Sequence, residues 1–369
     1  MIFDSRFFRN FDFVLIGAVV LLNIISLVMI ASATHANGVS SGSQWYAQRQ
    51  AVFFVLSLVF LLFSLRFDYS QLENFSMPLY FLGVIMLLAV MFFGYAALGA
   101  QRWIQIGPVS LQPSEFSKII MIIVLAKLLN DYKEKLDGVW GALPVIGCVF
   151  LPFLLVLRQP DLGTSLVFLF ITAAMLYIAG VPARFYRYLT GAAIALAPVF
   201  WHLLKGYQKH RILVFLDPER DPYGSGYHII QSKIAIGSGM LTGNGLFSGT
   251  QSQLRFLPET HTDFIFAVIG EELGFIGVAA VLLLYVAVLY RGIKIAMEAK
   301  DDFGALLAVG IVSMLGFHVV VNVGMTIGIL PITGIPLPFM SYGVSALITN
   351  MLCVSLLLNI NMRNRTLNF

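Results

Sequence analysis

The sequence predicts an all-α, polytopic integral membrane protein of about ten transmembrane helices, with a long outer loop containing short re-entrant or interfacial helices. Three observations carry this. The 369 residues are 59% hydrophobic and only 11% charged, against about a quarter charged in an ordinary globular domain, and mean hydropathy is +0.86. The apolar residues gather in runs of about 20, the length that crosses a hydrocarbon core as a helix. Those runs are continuous and lack the roughly ten-residue alternation of barrel strands. A two-domain cytosolic protein, the default for this length, is excluded.

The chain reads as one membrane domain, taken in order. The first span, 11–33, follows Arg6 and Arg9 and ends in Ala31-Ser32-Ala33, which imitates a signal peptide with its cleavage site. Its apolar run exceeds the usual signal core of about 7–15 residues, and many spans follow, so a retained helix is expected. Spans 46–65 and 75–94 are plain apolar runs. The fourth, 114–130, opens on Gln112-Pro113-Ser114-Glu115, with Pro113 suited to a first helical position. After 139–157, the sixth span, 161–179, opens in the same way on Gln159-Pro160-Asp161. The seventh, 185–204, is crowded by Pro182 and Pro198.

Residues 205–262 follow as an outer segment far longer than the roughly 15 residues beyond which loops are usually functional or disordered. Within it, Tyr227 to Ile236 places apolar residues at helical spacing over a stretch too short to span, so a re-entrant or interfacial helix is expected. Spans 263–290, 303–330 and 337–360 complete the ten. The turn before and into the last, Gly334 to Gly343, contains Pro336, Pro338 and Ser341. Its prolines free backbone carbonyls, so the segment should line protein or a wet cavity.

Ten spans place both termini on one side, and the positive-inside rule says which. With the termini inside, thirteen of the 23 Lys and Arg residues fall on inner segments and four (Arg49, Arg102, Lys118 and Arg158) on short outer ones. The chain is therefore expected in a plasma membrane with both termini cytoplasmic. The net charge of +4 suits no nucleic acid, because the basic residues form no stripe that could track a phosphate backbone. Cys148 and Cys353 lie in apolar runs, against a disulfide framework or thiolate metal site.

Few charges remain for chemistry, and they gather at the outer face. Thr262 can cap the eighth span and leave Asp263 in its first turn. There Asp263 either complements the helix dipole or serves as a carboxylate general base, which would need its pKa raised by partial dehydration. Glu271 and Glu272 lie about 12–13.5 Å deeper on the same helix, where a structural pairing with a neighbouring helix competes with a functional role. Glu115 and Lys118 are i,i+3 neighbours, either a boundary ion pair or part of a site. The two proline-led helix starts face outward with free N–H groups, close in sequence to Arg102, Arg158 and Lys118, a combination suited to a phosphate or pyrophosphate. His318 and Asn322, i,i+4 on the ninth span, read as interhelical hydrogen-bonding residues.

These pieces resemble one known family. GAQRWIQIGPVSLQPSEFSK at 99–118, QPDLGTS at 159–165 and LPETHTDFIFAVIGEELG at 257–274 are similar to the SEDS peptidoglycan polymerases. GYHIIQSKIAIGSG at 226–239, GTQSQLRFLPE at 249–259 and GILPITGIPLPFMSYG at 328–343 resemble its RodA subgroup rather than the division paralogue FtsW. Val344 departs from the family, which usually has a second glycine there. The resemblance implies a glycosyltransferase that polymerises lipid II into β-1,4 glycan strands at the outer leaflet, with a class B penicillin-binding protein as partner. It assigns Asp263 as the essential aspartate, Glu115 with Lys118 as a functional ion pair, and Arg49 as a functional basic residue, and it extends to Arg102 and Asp161. It allows a divalent cation at the pyrophosphate.

Two other classes are open. A transporter such as a lipid-precursor flippase is compatible with ten spans and intramembrane Glu271 and Glu272. Such proteins usually place their sites near the midplane between inverted repeats, and no repeat is visible. A scaffold that only recruits the penicillin-binding protein would tolerate loss of Asp263.

Overall fold

The computed structural model describes residues 10–35, 43–97, 100–107, 109–133, 139–203, 206–222, 224–254 and 256–364. Arg6, Arg9, Lys135 and Arg365, counted above among the inner basic residues, lie outside them. Ten helices occupy the ten expected segments. They are α1 (Phe13–His35), α2 (Ser43–Ser64), α3 (Ser76–Phe93), α4 (Pro113–Asp131), α5 (Leu143–Arg158), α6 (Leu162–Ile178) and α7 (Ala183–Leu203). Beyond the outer segment's own helices α8 (Gly206–Leu216) and α9 (Ser225–Ser238), the set closes with α10 (Ile265–Met297), α11 (Asp302–Thr326) and α12 (Val344–Met362). By length and composition alone α1, α2, α3, α10, α11 and α12 qualify as membrane spans, and α5 and α6 are shorter apolar helices. Large side chains such as Phe81, Phe92, Phe93, Leu283 and Val286 point outward; on a polytopic bundle such a surface faces lipid.

The centre is α4, which touches α3, α5, α6, α11 and α12. Its residues from Ile119 to Leu129 are almost all buried, so a helix that carries Glu115, Lys118, Lys127 and Asp131 is also the most enclosed. Consecutive helices α1–α2, α3–α4, α5–α6 and α10–α11 pack together, as short connections dictate, while α1 also lies along α10 and α12 along α2.

Several boundaries differ from the sequence reading, α10 running on to Met297 and α5 starting at Leu143 among them; three differences have a clear local reason. Helix α11 ends at Thr326, four residues early, because Gly328 takes φ +75. The Ile329 N–H then donates to the Gly324 carbonyl at 2.8 Å and Gly328 N–H to Met325 O at 3.2 Å, a Schellman closure. Helix α12 begins at Val344, because Pro336 and Pro338 hold the preceding segment extended. The freed backbone groups there are met by protein: Ser26 Oγ donates to Met340 O at 2.7 Å, and Tyr285 Oη donates to Pro338 O. The third difference is a break inside α10.

At Gly274 the backbone leaves helical geometry at φ 63, ψ −162. Residues 240–245 repair the break. Asn244 and Gly245 N–H donate to Glu271 and Glu272 carbonyls at 3.0 Å each, and Phe275 and Ile276 N–H donate to Met240 and Leu241 carbonyls. Gly274 lies about 14 Å along the helix from its outer end, so the chain after α9 reaches that depth before returning. The short helix expected over Tyr227 to Ile236 is α9 (Ser225–Ser238), and the residues after it make this contact. Glu271 and Glu272 fasten it: Glu271 accepts from Gln251 N at 2.6 Å and Ser252 N at 3.1 Å, and Glu272 accepts from Ser32 Oγ of α1 at 2.6 Å. Their role here is structural.

A Cβ at Gly274 would fall 2.3 Å from Gly243 N, a backbone atom that cannot step aside. Replacing Gly274 by alanine is therefore expected to cost about 2–4 kcal/mol, combining positive φ with a backbone clash. Thermal unfolding of the detergent-purified protein would read this as a clear drop in Tm, whereas Gly147→Ala, in open space, should leave Tm in place.

The small sheet was not anticipated. Strands β1 (Tyr95–Ala97), β2 (Ala100–Ile106) and β3 (Val109–Leu111) pair antiparallel in that order, with Ala96 opposite Gln101 and Gln105 opposite Ser110. It fills the outer connection between α3 and α4 and carries Arg102.

Candidate functional site

Asp263 sits just ahead of α10, whose N-cap is Phe264 with no side-chain cap. The expected cap, Thr262, instead donates its hydroxyl to Glu259 Oε2 at 3.0 Å. Asp263 thus lies one residue before the N-cap rather than in the first turn. Its backbone is held from below: Asn322 Nδ2 donates to Asp263 O at 3.0 Å and to Ile335 O at 2.8 Å. Gly334, at φ +73, faces the carboxylate; a Cβ there would stand 3.5 Å from Asp263 Oδ2. Burial pushes the Asp263 carboxyl up to about 6, and the Glu259 charge adds to this. Arg102 and Arg211 act in the opposite direction and Asp161 reinforces the rise.

Arg102 is fixed on β2. Its guanidinium faces Asp161 Oδ1 at 3.6 Å, donates from Nε to Gln159 O at 3.4 Å, and bonds the Pro160 carbonyl. Asp161 caps α6 by accepting from Thr164 N at 3.1 Å, and it receives Gln112 Nε2 at 3.3 Å. The two proline-led helix starts are thereby tied together. Gly163, one turn on, packs so closely on Thr333 O and Ile335 that a Cβ would come within 2.9 Å. Arg211 of α8 reaches the Ile332 carbonyl at 3.5 Å. The segment 332–335 is therefore wedged between Arg211, Asp161's helix and Asp263.

The remaining expected residues divide. Arg49 lies over the Trp45 ring at 4.8 Å and hydrogen-bonds Tyr342, at the rim formed by Tyr46, His261 and Tyr342, whose rings pack at 4.7–5.7 Å. Ser341 is a tie: its hydroxyl donates to Thr262 O at 2.6 Å and accepts from Leu337 N. Lys118 and Glu115 pair at 2.8 Å but are almost fully enclosed, the lysine side chain being 1% exposed. Lys118 turns to His318 Nε2 at 2.9 Å, whose Nδ1 lies 2.7 Å from Met314 O, so it faces the bundle core. Arg158 is exposed at the end of α5, with no hydrogen bond or ion pair to this network among the described residues.

Sequence reasoning missed Arg211 and Glu259 as members of the site, and it read Asn322 as an ordinary interhelical bond. An apolar cavity of about 470 Å³ is elsewhere, between α2, α3, α4 and α12 and lined by Phe67, Leu79, Ile123 and Leu356 among others. Among the described residues, no three His, Cys, Asp or Glu side chains gather as a metal site, and Cys148 and Cys353 are free thiols.

Fold and site together define a polytopic membrane protein in which the Asp263 carboxylate, just ahead of α10, feels the charges of two guanidinium groups, Arg102 and Arg211. The chain belongs to the FtsW/RodA/SpoVE family of cell cycle proteins, whose model matches residues 13–366. It is 44% identical over 299 residues to the peptidoglycan glycosyltransferase MrdB of Escherichia coli K12, covering 80% of each chain. It is 39% identical to stage V sporulation protein E of Bacillus subtilis, over 96% of this chain and 98% of that one. Among solved structures, a chain of a peptidoglycan synthase complex that coordinates polymerization and crosslinking matches with TM-score 0.79 at 32% identity, covering 96% and 99%. The rod shape determining protein RodA of Thermus thermophilus matches with TM-score 0.71 at 29% identity, covering 96% and 97%. The likeness to MrdB and RodA agrees with the RodA-type pieces of the sequence.

Proposed function

We propose that this protein polymerises lipid II into β-1,4 glycan strands at the outer face of the bacterial plasma membrane during cell elongation. The observation that carries the reading is Asp263: a half-buried carboxylate that burial pushes up to about 6, with Gly334, which has no side chain, beside it and the charges of Arg102 and Arg211 acting on it. A base in that range retains basicity yet is ionised at neutral pH. Asp263 takes the proton of the acceptor GlcNAc 4-hydroxyl. The oxygen attacks the donor's anomeric carbon from the face opposite the leaving group, the bond to undecaprenyl pyrophosphate breaks, and the configuration inverts. Arg102 and Arg211, with Arg49 at the rim, neutralise the departing pyrophosphate. Lys118 and Glu115 support this arrangement from beneath. A divalent cation at the site would draw oxygen ligands from the pyrophosphate itself, because the described residues supply too few of their own.

The relative found in a synthase complex supports a penicillin-binding protein as partner. Basic residues at the inner helix ends, among them Arg66, Lys127, Lys133, Arg291 and Lys294, support cytoplasmic termini. Purified protein in vesicles, supplied with lipid II and its partner, is expected to form glycan polymer without moving lipid II between leaflets. Lipid movement without polymer would establish a flippase instead.

The raised pKa gives this reaction a pH signature. The active form is the anion, so the rate should fall as pH drops through about 6 and lose about tenfold per unit below it. An ordinary aspartate would hold the rate down to about pH 4. A pH profile of polymer formation between 4.5 and 8 (roughly the range that separates the two) distinguishes them.

A further inference from the structure

Three buried polar atoms beneath Asp263 lack hydrogen-bond partners among the described residues: Ser114 Oγ, Asn322 Oδ1 and Thr349 Oγ1. Their residues are 2%, 0% and 0% exposed. They belong to three different helices, α4, α11 and α12, all in mutual contact. Each stands four residues, one helical turn, toward the outer face from a residue of the layer below: Lys118, His318 and Cys353. In that lower layer Lys118 Nζ meets His318 Nε2 at 2.9 Å, and Cys353 is fully buried on α12, which packs on both α4 and α11.

Residues i and i+4 share a helix face, so three side chains in one layer place the next three in a layer one turn above. The register agrees. Gln112 N–H donates to Ser345 Oγ at 2.9 Å, and α4 and α12 run on together from there, which sets Thr349 level with Phe116, about half a turn past Ser114. Helix α11 runs the opposite way, which sets Asn322 level with Ser114 once His318 is level with Lys118. The amide orientation of Asn322 is fixed, because both protons of Nδ2 are taken by the Asp263 and Ile335 carbonyls. Its Oδ1 is then an acceptor in search of a donor.

We propose that Ser114, Asn322 and Thr349 enclose an ordered-water site that couples the Lys118–Glu115–His318 layer to the backbone of Asp263. A buried water takes two to four polar partners, and two hydroxyls plus one amide oxygen supply three. The water donates to Asn322 Oδ1 and exchanges bonds with the hydroxyls. A cation suits the place poorly: its three oxygens are neutral, and the Lys118 ammonium of the adjoining layer would repel it. Asn322 is thereby a positioning residue. It holds the Asp263 carbonyl on one side and the hydrated layer on the other, and it gives the enclosed ion pair a route to the site without contact with substrate.

The test uses the full-length protein, with Thr349→Val removing the hydroxyl at constant shape and Thr349→Ser retaining it. If the layer is hydrated, Thr349→Val lowers Tm by about 2 °C, and Thr349→Ser keeps the wild-type value. A rise in Tm for Thr349→Val would mean a dry, unpaired hydroxyl and would overturn the proposal. So would an equal loss in Thr349→Ser, which would assign the effect to packing, or a wild-type Tm that climbs specifically with sodium at constant ionic strength, which would make the guest a cation. The kinetic arm rests on the polymerase reading. Thr349→Val should lower kcat for lipid II by about five- to tenfold with KM unchanged, the mark of a mispositioned base, and Thr349→Ser should restore it. An unchanged kcat in Thr349→Val would remove the coupling to Asp263. If the wild-type protein makes no polymer, the polymerase reading fails while the Tm comparison still decides the water site.

Discussion

Asp263→Asn is expected to lower polymer formation from lipid II by about 10³-fold while leaving Tm no lower than wild type. The amide keeps the shape of the side chain and removes its basicity, and a positioned general base contributes about 10²–10⁴ in rate. The stability half of the expectation follows from the sign of the pKa shift. Burial raises the Asp263 carboxyl above its ordinary value, so the folded protein binds the proton more tightly than the unfolded chain does. The ionised carboxylate therefore opposes folding above about pH 6, and the opposition fades as pH falls and the group protonates. A neutral amide removes that opposition at pH 7.5. Gel analysis of glycan products beside thermal unfolding of the same sample checks both halves. Wild-type turnover in Asp263→Asn would remove the residue from the chemistry, and a collapsed Tm would show that the carboxylate is structural. A scaffold that only recruits its partner would show neither effect.

The ten helices were legible because the bilayer imposes a length and a composition that few other constraints imitate. What was not legible depends on contacts between distant parts of the chain. Gly274 sits in the run Gly270 to Gly277, and glycine is common enough in membrane helices that it marks no break by itself. The break exists because residues 240–245 supply the missing backbone partners. Strand β2 mixes Gln, Arg, Trp and Ile within a span-to-span loop, so neither period stood out, although it is β2 that delivers Arg102 to Asp161.

The site was legible to a different degree at each residue. Asp263 could be singled out because a lone carboxylate at a helix start in a charge-poor chain is unusual, but the bare spacing left dipole complementation open. In the structure the helix starts two residues later, and it is burial beside other charges that sets the carboxylate apart. Arg211 could not be singled out from five other basic residues in the outer segment; only its reach to Ile332 and its effect on Asp263 distinguish it. For Lys118 the spacing to Glu115 was informative and the depth was not. An i,i+3 pair near a helix start reads as a surface pair, and burial by α11 and α12 makes it an interior one.

That depth determines what should follow from breaking the pair. An exposed ion pair is worth about 0–1 kcal/mol, but Glu115 and Lys118 are both at least nine-tenths enclosed. Lys118→Met should therefore strand the Glu115 carboxylate among Ile119, Ile122 and Cys353, and destabilise the protein by about 3–5 kcal/mol. Glu115→Gln should be milder, because the Lys118 ammonium keeps its bond to His318 and gains the amide oxygen. Combining the two replaces the charges by a neutral, similarly shaped pair and is expected to recover most of the lost Tm, since a buried pair often gives little more stability than an apolar substitute. Activity measured in that double variant then separates two roles that the single variants confound. A lysine that held the pyrophosphate would leave the stable double variant as inactive as Asp263→Asn. A lysine that only supports the layer under Asn322 should leave polymerisation within about tenfold of wild type, and the 1% exposure of the Lys118 side chain favours that second outcome. The pair then matters for the chemistry through the geometry it imposes on Asp263, at a distance from any substrate atom.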